Sequence, residues 1–147
     1  MNVRLRVSGD DGEWLRLRAA LWPHVGPDEH RVEMTAWLAR SDAVVLVAPN
    51  ADGSGLIGFA EVGARSLADG CVTSPLAYLE GWYVDFAHRR RGVGAALVRE
   101  AEAWARSRGY CEFGSDAQLE NIESQRAHVS LGFEEVERSV LYLKKLR

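Results

Sequence analysis

The feature that most constrains this chain is a basic, glycine-bearing turn, Arg89-Arg90-Arg91-Gly92-Val93-Gly94, which joins an apolar stretch to an amphipathic helix. Gly92 and Gly94 lack the Cβ atom that keeps a ligand away from the backbone, so successive N–H groups can point into the turn. The N-terminus of the next helix adds partial positive charge, and the arginines add full charges. The turn is therefore able to hold a pyrophosphate, although the pattern also fits an ordinary strand-to-helix turn with solvated arginines.

Length and charge limit the classes of function. The 147 residues fit one domain over 1–147, which is large enough to bury about two-thirds of its unfolded surface. The net charge of -3 gives no general attraction to nucleic acid, and the basic cluster at 89–91 is too short to follow a phosphate backbone. We therefore expect a globular protein with no nucleic-acid partner.

The two cysteines and the N-terminus indicate the compartment. Cys71 and Cys111 have neither a C-x-x-C neighbour nor a suitably spaced His, so the sequence predicts no zinc or other metal site and no disulfide framework. Residues 1–6 carry no apolar signal region, and no stretch approaches 18 consecutive apolar residues. We expect a cytoplasmic protein that does not interact with a membrane.

Hydrophobic spacing predicts alternating strands and helices. The predicted helices span 11–21, 28–40, 92–108 and 121–131, and the predicted strands span 3–7, 43–48, 56–65, 76–84, 110–114, 133–136 and 140–144. This order is typical of an α/β domain with a mixed central sheet.

That order, with the R-x-x-G-x-G turn leaving the fourth strand, resembles the GCN5-related N-acetyltransferase (GNAT) superfamily over nearly the whole chain. The resemblance implies a largely antiparallel central sheet of about seven strands, flanked by about four helices. It also implies acetyl-CoA as co-substrate, with its pyrophosphate on the backbone of 90–95 and its pantetheine arm where the fourth and fifth strands splay. The implied acetyl-CoA-binding residues are Trp82, Tyr83, Val84, Arg89, Arg90, Arg91, Gly92, Val93, Gly94, Ala95, Asn121 and Ser124.

A second signature of the superfamily lies further along. Asn121, Ser124 and Gly132-Phe133 match it, but His128 stands where the family has tyrosine. The group that protonates the departing CoA thiolate is therefore left open between His128 and other donors.

A narrower resemblance comes from several short segments: Leu21-Trp22-Pro23, Leu79-Glu80-Gly81, the run 115–121, Ser124-Gln125 with His128, and Leu131-Gly132-Phe133-Glu134-Glu135. Together they are similar to aminoglycoside 6'-N-acetyltransferases, the antibiotic-resistance branch of the superfamily. This resemblance implies an aminoglycoside substrate acetylated on its 6'-amine. Because related resistance enzymes are often dimers, we also expect a homodimer, with the last strands exchanged or paired between subunits.

The chemistry of amine acetylation selects Glu80 as the candidate base. An alkylamine with a pKa of about 10.4 is mostly protonated at pH 7, so a carboxylate has to attract the cation and help its proton leave. Glu80 is a single acid in an apolar strand, immediately before the backbone that would bind pantetheine. It could act directly or through a water, and the alternative is a solvated Glu80 or one paired with an arginine.

The region 110–123 contains Glu112, Asp116, Glu120 and Glu123 but no Lys or Arg, so it would attract a polycation. We expect Asp116 to bind the substrate amine, and we interpret Glu120 as a capping residue. Trp22 either stacks on a sugar ring or packs in the core.

Direct transfer in a ternary complex is the preferred mechanism, because Cys71 and Cys111 lack an adjacent predicted base. Backbone N–H groups at Tyr83 or Val84 would stabilise charge on the thioester oxygen. His128 either protonates the thiolate or is a satisfied core histidine. Two other functions remain open: acetylation of another small-molecule or protein amine, and non-catalytic sensing of acyl-CoA, which would not need the base or the acidic loop.

Overall fold

The computed structural model describes residues 2–147 and shows an α/β fold with one five-stranded sheet in that range. The elements in chain order are β1 Arg4–Leu5, α1 Asp11–Leu21, α2 Pro27–Leu38, β2 Ala43–Pro49, β3 Leu56–Arg65, β4 Leu76–Val84, α3 Val93–Ser107, β5 Phe113–Ser115 and α4 Ile122–Ser130. The strands are ordered β1-β2-β3-β4-β5, antiparallel except for the parallel pair β4–β5.

Both faces of the sheet are covered, so its central strands are apolar almost throughout. On one face, α3 packs on a cluster made of Leu46, Ala48, Ile57, Ala60, Val62, Leu79, Val84, Val93, Leu97, Val98 and Ala101. On the other face, α1 and α2 cover a cluster made of Trp14, Leu17, Met34, Val45, Val47, Leu56 and Phe59. Trp14 and Leu17 are completely buried, and their spacing of three residues places both on the inner side of α1.

The prediction of about seven strands is wrong for the described chain. Neither 133–136 nor 140–144 forms a strand, and the segment 134–147 has no regular structure. Its apolar residues suit a strand, but no strand of the described sheet pairs with this segment. Leu141, Tyr142 and Leu143 are therefore exposed by 92%, 92% and 85%.

The other predicted elements are present, three of them with the predicted bounds and the rest with changed ends. The predicted ranges 11–21, 56–65 and 76–84 coincide with α1, β3 and β4. The first strand is shorter than 3–7, and the fifth lies at Phe113–Ser115 instead of 110–114. Between residues 2 and 147 no helix is long and apolar enough to cross a membrane.

Candidate active site

The strands β4 and β5 separate partway along β4, at the edge of the sheet. Their pairing is confined to Ala77↔Phe113, Tyr78↔Gly114 and Leu79↔Ser115, whereas β4 continues to Val84. The backbone of β4 after Leu79 therefore faces an opening on its β5 side. Trp82, Tyr83 and Val84, the predicted pantetheine-binding residues, all lie in this open part.

Glu80 lies at a β-bulge at the start of the opening. On β3, the neighbours Glu61 and Val62 pair with Gly81 and Leu79 of β4, so Glu80 is an extra residue without a partner. A bulge changes the direction of a side chain and often occurs beside active sites. It places a carboxylate at the point where the two strands begin to separate.

A cavity of about 240 Å³ lies between the α1–α2 face and β3 and β4. Gly81 makes room for its aromatic wall, because a Cβ there would lie 2.8 Å from the ring of Trp22. The walls are mainly tryptophan rings and carboxylates: the lining residues are Arg18, Trp22, Glu33, Trp37, Glu61 and Glu80. Two predicted site residues, Trp22 and Glu80, thus share one cavity.

Arg18 and Glu61 form a buried ion pair in the cavity wall. Each side chain is only 3% exposed, and Arg18 Nη1 donates to Glu61 Oε1 at 2.6 Å. Arg18 also donates to His30 Nδ1 at 3.2 Å and pairs with Glu33, while its guanidinium lies 4.8 Å from the ring centroid of Trp22. Burial raises the pKa of Glu61, and the Arg18 charge acts in the opposite direction.

Arg65 and Tyr78 connect Glu80 to Asp116, the other acid predicted for the site. Its Nε and Nη2 donate to the two oxygens of Glu80, each at 2.6 Å. Its guanidinium lies 3.5 Å from the ring centroid of Tyr78, whose hydroxyl donates to Asp116 Oδ2 at 2.6 Å. Burial, followed by the adjacent Asp116 carboxylate, raises the pKa of Tyr78, so this hydroxyl keeps its proton. The structure therefore brings Glu80 and Asp116 into one network, and Glu80 is paired with an arginine.

The basic turn opens α3 with unusual backbone conformations. Arg90 and Gly92 have φ values of 60° and 84°, and no atom lies within 4 Å of a Cβ placed on Gly92. The helix ladder begins with the amide of Ala96, which donates to Gly92 O, so the amides of 93–95 precede it. The side chains of Arg90 and Arg91 are exposed. Free amides and open space at a helix N-terminus are suited to an anion.

Three other predicted acetyl-CoA-binding residues have structural contacts of their own. Arg89 Nε donates to Val84 O at 2.8 Å, and its Nη1 lies 3.3 Å from Glu123. Asn121 caps α4, since its Oδ1 accepts from the amide of Ser124 at 3.1 Å. Arg89 and Asn121 thus fix the elements that flank the opening.

His128 is held at both ring nitrogens. Nδ1 lies 2.7 Å from the carbonyl oxygen of Ser124 and therefore carries the hydrogen, because a carbonyl only accepts. Nε2 lies 2.7 Å from Ser115 Oγ, and the ring packs edge-on against Trp82 at 5.1 Å. His128 thus lies beside the open part of β4.

Other acidic and thiol groups of the sequence lie outside this network. Glu112 accepts hydrogen bonds from the amides of Val72 and Thr73, and Glu123 pairs with Arg89. Burial and the charge of Glu112 raise the pKa of Cys71, which disfavours a thiolate. Within residues 2–147, no three His, Cys, Asp or Glu side chains cluster in a way that could hold a metal ion.

Sequence reasoning missed several cavity residues. Glu61 meets the criterion that selected Glu80, since it is a lone acid in an apolar strand. Arg18 lies four residues after Trp14 on the buried side of α1, where a charged residue is unusual. Trp37 of α2 gave no comparable signal, and neither did Arg65 and Tyr78 beside the cavity, whose contacts with Glu80 and Asp116 depend on the register of β3 and β4.

Comparison with known proteins defines the class. A model of the acetyltransferase (GNAT) family matches residues 12–133, and the splayed strands, bulge and glycine turn all lie in that range. The chain belongs to the acetyltransferase (GNAT) family.

The relatives define a narrower group. An aminoglycoside N(6')-acetyltransferase type 1 from Klebsiella aerogenes is 45% identical over 147 residues, covering 98% of this chain and 96% of the relative. One from Serratia marcescens is 43% identical over 134 residues, covering 90% and 91%. Within the family, the chain therefore groups with the aminoglycoside N(6')-acetyltransferases type 1, and the resemblance predicted from sequence is confirmed.

Solved structures agree with this placement. The apo aminoglycoside antibiotic 6'-N-acetyltransferase AAC(6')-IG from Acinetobacter haemolyticus has a TM-score of 0.90 at 40% identity, with both chains fully covered. The structure of AAC(6')-Iy with the bisubstrate analog CoA-S-monomethyl-acetylneamine has a TM-score of 0.91 at 35% identity, covering 99% of this chain and 98% of that one.

Proposed function

We propose that this chain transfers the acetyl group of acetyl-CoA to the 6'-amine of aminoglycoside antibiotics and thereby confers resistance. One observation carries the proposal: the bulged Glu80 lines a cavity walled by carboxylates and tryptophans, directly beside the opening between β4 and β5. The relatives at 45% and 43% identity bear the corresponding name.

Acetyl-CoA fits the opening through groups of this chain. The amides of 93–95, before the first helical hydrogen bond of α3, would bind the pyrophosphate, with Arg90 and Arg91 adding charge. The main chain of 82–84 would bind the pantetheine arm and present an N–H group to the thioester oxygen. Acetyl-CoA supplies the acetyl group and leaves as the CoA thiolate.

The acceptor would occupy the cavity on the α1–α2 face. An aminoglycoside carries several ammonium groups, and the three lining carboxylates of Glu33, Glu61 and Glu80 outnumber the one lining cation, Arg18. Attraction between opposite charges grows as water is excluded from such a site. The half-buried ring of Trp22 offers an apolar face to a sugar, and Asp116 would bind a further amine.

Glu80 would take the proton from the 6'-ammonium, directly or through a water. The freed nitrogen then attacks the thioester carbon: a C–N bond forms, the C–S bond breaks, and the nitrogen passes its second proton to solvent. His128, in its protonated form, would donate Nε2–H to Ser115 Oγ, and the Ser115 hydroxyl would pass its own hydrogen to the thiolate. These reaction steps need no covalent enzyme intermediate.

The proposal includes a homodimer. Segment 134–147 exposes several large apolar side chains, and β5 is an edge strand of the sheet within the described residues. A second copy would cover that segment and supply a neighbouring strand. A cytoplasmic location follows from the same proposal, because acetyl-CoA is a metabolite of that compartment.

The test is acetyl-CoA-dependent thiol release with a panel of amines. Kanamycin and tobramycin should react, whereas a matched aminoglycoside with a 6'-hydroxyl should not. Thiol release with spermidine or a lysine peptide alone would agree with membership of the acetyltransferase family, but it would refute aminoglycosides as the acceptor. Binding of acetyl-CoA without release from any amine would refute the proposed reaction.

A further inference from the structure

We infer that Arg65 is a resident cation of the acceptor site, which holds Glu80 in the acceptor-free enzyme and is exchanged there for the ammonium of the acceptor. This inference rests on the proposed function. It assigns to Arg65 a role in setting acceptor affinity and in selecting cationic acceptors.

The register of β3 and β4 shows that the Arg65 side chain has to extend along the sheet to contact Glu80. Arg65 is the last residue of β3 and lies opposite Leu76, while Tyr78 lies opposite Gly63, two residues further along. The Arg65 side chain therefore runs back along the strand and lies on the Tyr78 ring before it reaches Glu80. Gly63 has no side chain to block that path.

The contact of Arg65 resembles the one an acceptor needs. A guanidinium that donates to both oxygens of a carboxylate, at 2.6 Å each, satisfies the same acceptor atoms that an incoming ammonium would use. Glu80 also lines the cavity, so the arginine and the acceptor compete for one group.

The two arginines near the cavity differ in how firmly they are held. Arg18 is 3% exposed and is bound by Glu61, Glu33 and His30, which makes it a fixed part of the wall. Arg65 is 38% exposed, and its two described hydrogen bonds both go to Glu80. Exposed ion pairs contribute little to stability, so Arg65 is the arginine that can be displaced.

Tyr78 gives the displaced arginine a place to remain. Its ring lies under the guanidinium at 3.5 Å, and its hydroxyl is fixed by Asp116. A cation resting on an aromatic face keeps part of its stabilisation without a carboxylate partner. Arg65 can therefore release Glu80 without leaving the rim of the cavity.

The first experiment compares steady-state kinetics of the full chain with those of Arg65→Ala, with kanamycin as acceptor. Removing the competitor should lower the acceptor KM by about three- to fivefold, the upper part of the range expected for one exposed ion pair, while kcat and the acetyl-CoA KM stay within about twofold. The matched control is Arg4→Ala. Arg4 is also 38% exposed and donates through two nitrogens to Asp10, at the far edge of the sheet. A fall in kcat with unchanged acceptor KM would overturn the inference in favour of an orienting role.

Two further measurements separate exchange at Glu80 from a general effect of charge. The double variant Glu80→Gln with Arg65→Ala should have the same acceptor KM as Glu80→Gln alone. A lower acceptor KM in the double variant would overturn the inference. Methylguanidinium at millimolar concentration should compete with the acceptor in Arg65→Ala, but not in the wild type or in Arg4→Ala.

The inference stays testable if no aminoglycoside reacts. In that case the proposed function fails, and thermal stabilisation by methylguanidinium decides the role of Arg65. Stabilisation of Arg65→Ala beyond that of the wild type and of Arg4→Ala would support a cation site at Glu80, and equal stabilisation of all three would overturn it.

Discussion

In the proposed reaction, Glu80 has to meet two demands with a single carboxylate. It must be near enough to the thioester to serve a reacting amine, and it must also be accessible to a cation from the opposite face of the sheet. The bulge opposite Glu61 and Val62 meets both demands, because it frees Glu80 from strand pairing at the point where β4 leaves β5. The side chain is 25% exposed, which leaves it open to the cavity.

Replacing Glu80 with Gln should lower kcat by about 10²- to 10⁴-fold, the usual contribution of a general base. The difference in kcat between Glu80→Gln and wild type should narrow as the pH rises toward the amine pKa of about 10.4. At high pH more of the acceptor amine is already deprotonated in solution, so the base is needed less. Thiol release measured from pH 7 to higher pH checks both statements. The matched control is Glu102→Gln, since Glu102 is 29% exposed and is also paired with an arginine. Equal rates for Glu80→Gln and wild type would contradict the assignment.

The sequence predicted those site residues whose type stands out against their neighbours in the chain. Glu80 and Trp22 were predicted because a lone acid and a lone aromatic stand out in their segments; both line the cavity, and their roles there stay predictions. Arg65 was not found, because its contact with Glu80 depends on how β3 and β4 align over 15 residues of chain. Asn121 was predicted from a motif, and its role as the cap of α4 became visible only in the hydrogen bonding.

The first turn of α3 shows how an element positions the site. Gly94 is the second residue of the helix, and its carbonyl accepts from Trp82 Nε1 at 3.2 Å. A Cβ on Gly94 would lie 3.1 Å from the Trp82 ring, which is closer than carbon atoms normally pack. The helix N-terminus that would bind pyrophosphate and the strand that would bind pantetheine are thus in direct contact.

Gly94→Ala should therefore raise the acetyl-CoA KM severalfold, because the new methyl group pushes the helix N-terminus away from Trp82. The acceptor KM should stay nearly constant, since the cavity lies on the other face of the sheet. Gly12→Ala is a close control: Gly12 is the second residue of α1, and nothing lies within 4 Å of its Cβ position. Steady-state kinetics with each substrate varied in turn measure the effect. A larger change in the acceptor KM than in the acetyl-CoA KM would contradict this account.

Elements with their own burial pattern were predicted well. The bounds of β3 and β4 follow from continuous apolar runs, and α1 follows from the spacing of Trp14 and Leu17. The prediction failed where pairing, not pattern, decides the outcome. β5 is only three residues long because it loses contact with β4 at the opening, and the splay itself leaves no local trace in the sequence.

At the scale of the whole molecule, the pH dependence of stability has an identifiable contribution from Asp10. Its oxygens accept from Arg4 at 2.7 and 3.1 Å and from the Val7 amide at 2.9 Å, and the Arg4 guanidinium holds the pKa of Asp10 below its usual value. A carboxyl group whose pKa is lowered on folding stabilises the native state above its unfolded pKa of about 3.9, and this contribution is lost as the pH falls further.

Asp10→Asn should therefore lower the free energy of unfolding by about 1 kcal/mol at pH 7. The difference from wild type should shrink below about pH 4, as the wild-type carboxyl becomes protonated. Urea unfolding at several pH values and one protein concentration tests this. Asp28→Asn is the control, because Asp28 is fully exposed and should show little effect. A difference that stays constant down to pH 3 would contradict the role of Asp10.

At the scale of the whole molecule, the proposed homodimer rests on the segment 134–147. Val136, Val140, Leu141, Tyr142, Leu143 and Leu146 are 63% to 92% exposed. So much exposed apolar surface in one extended segment is unfavourable in water. The same chain carries an edge strand, β5, so two copies related by a twofold axis can each cover the segment of the other.

We therefore expect sedimentation equilibrium to give twice the chain mass of 16.3 kDa. A double variant, Leu141→Arg with Leu143→Arg, should shift the equilibrium toward monomer, because the charged side chains resist burial in the interface. The control is Leu67→Arg, since Leu67 is 75% exposed outside this segment. A wild-type chain that stays monomeric at micromolar concentration would refute the dimer. If wild type is dimeric and the double variant equally so, subunit contact must lie elsewhere, and the apolar pattern of 134–147 would need another explanation.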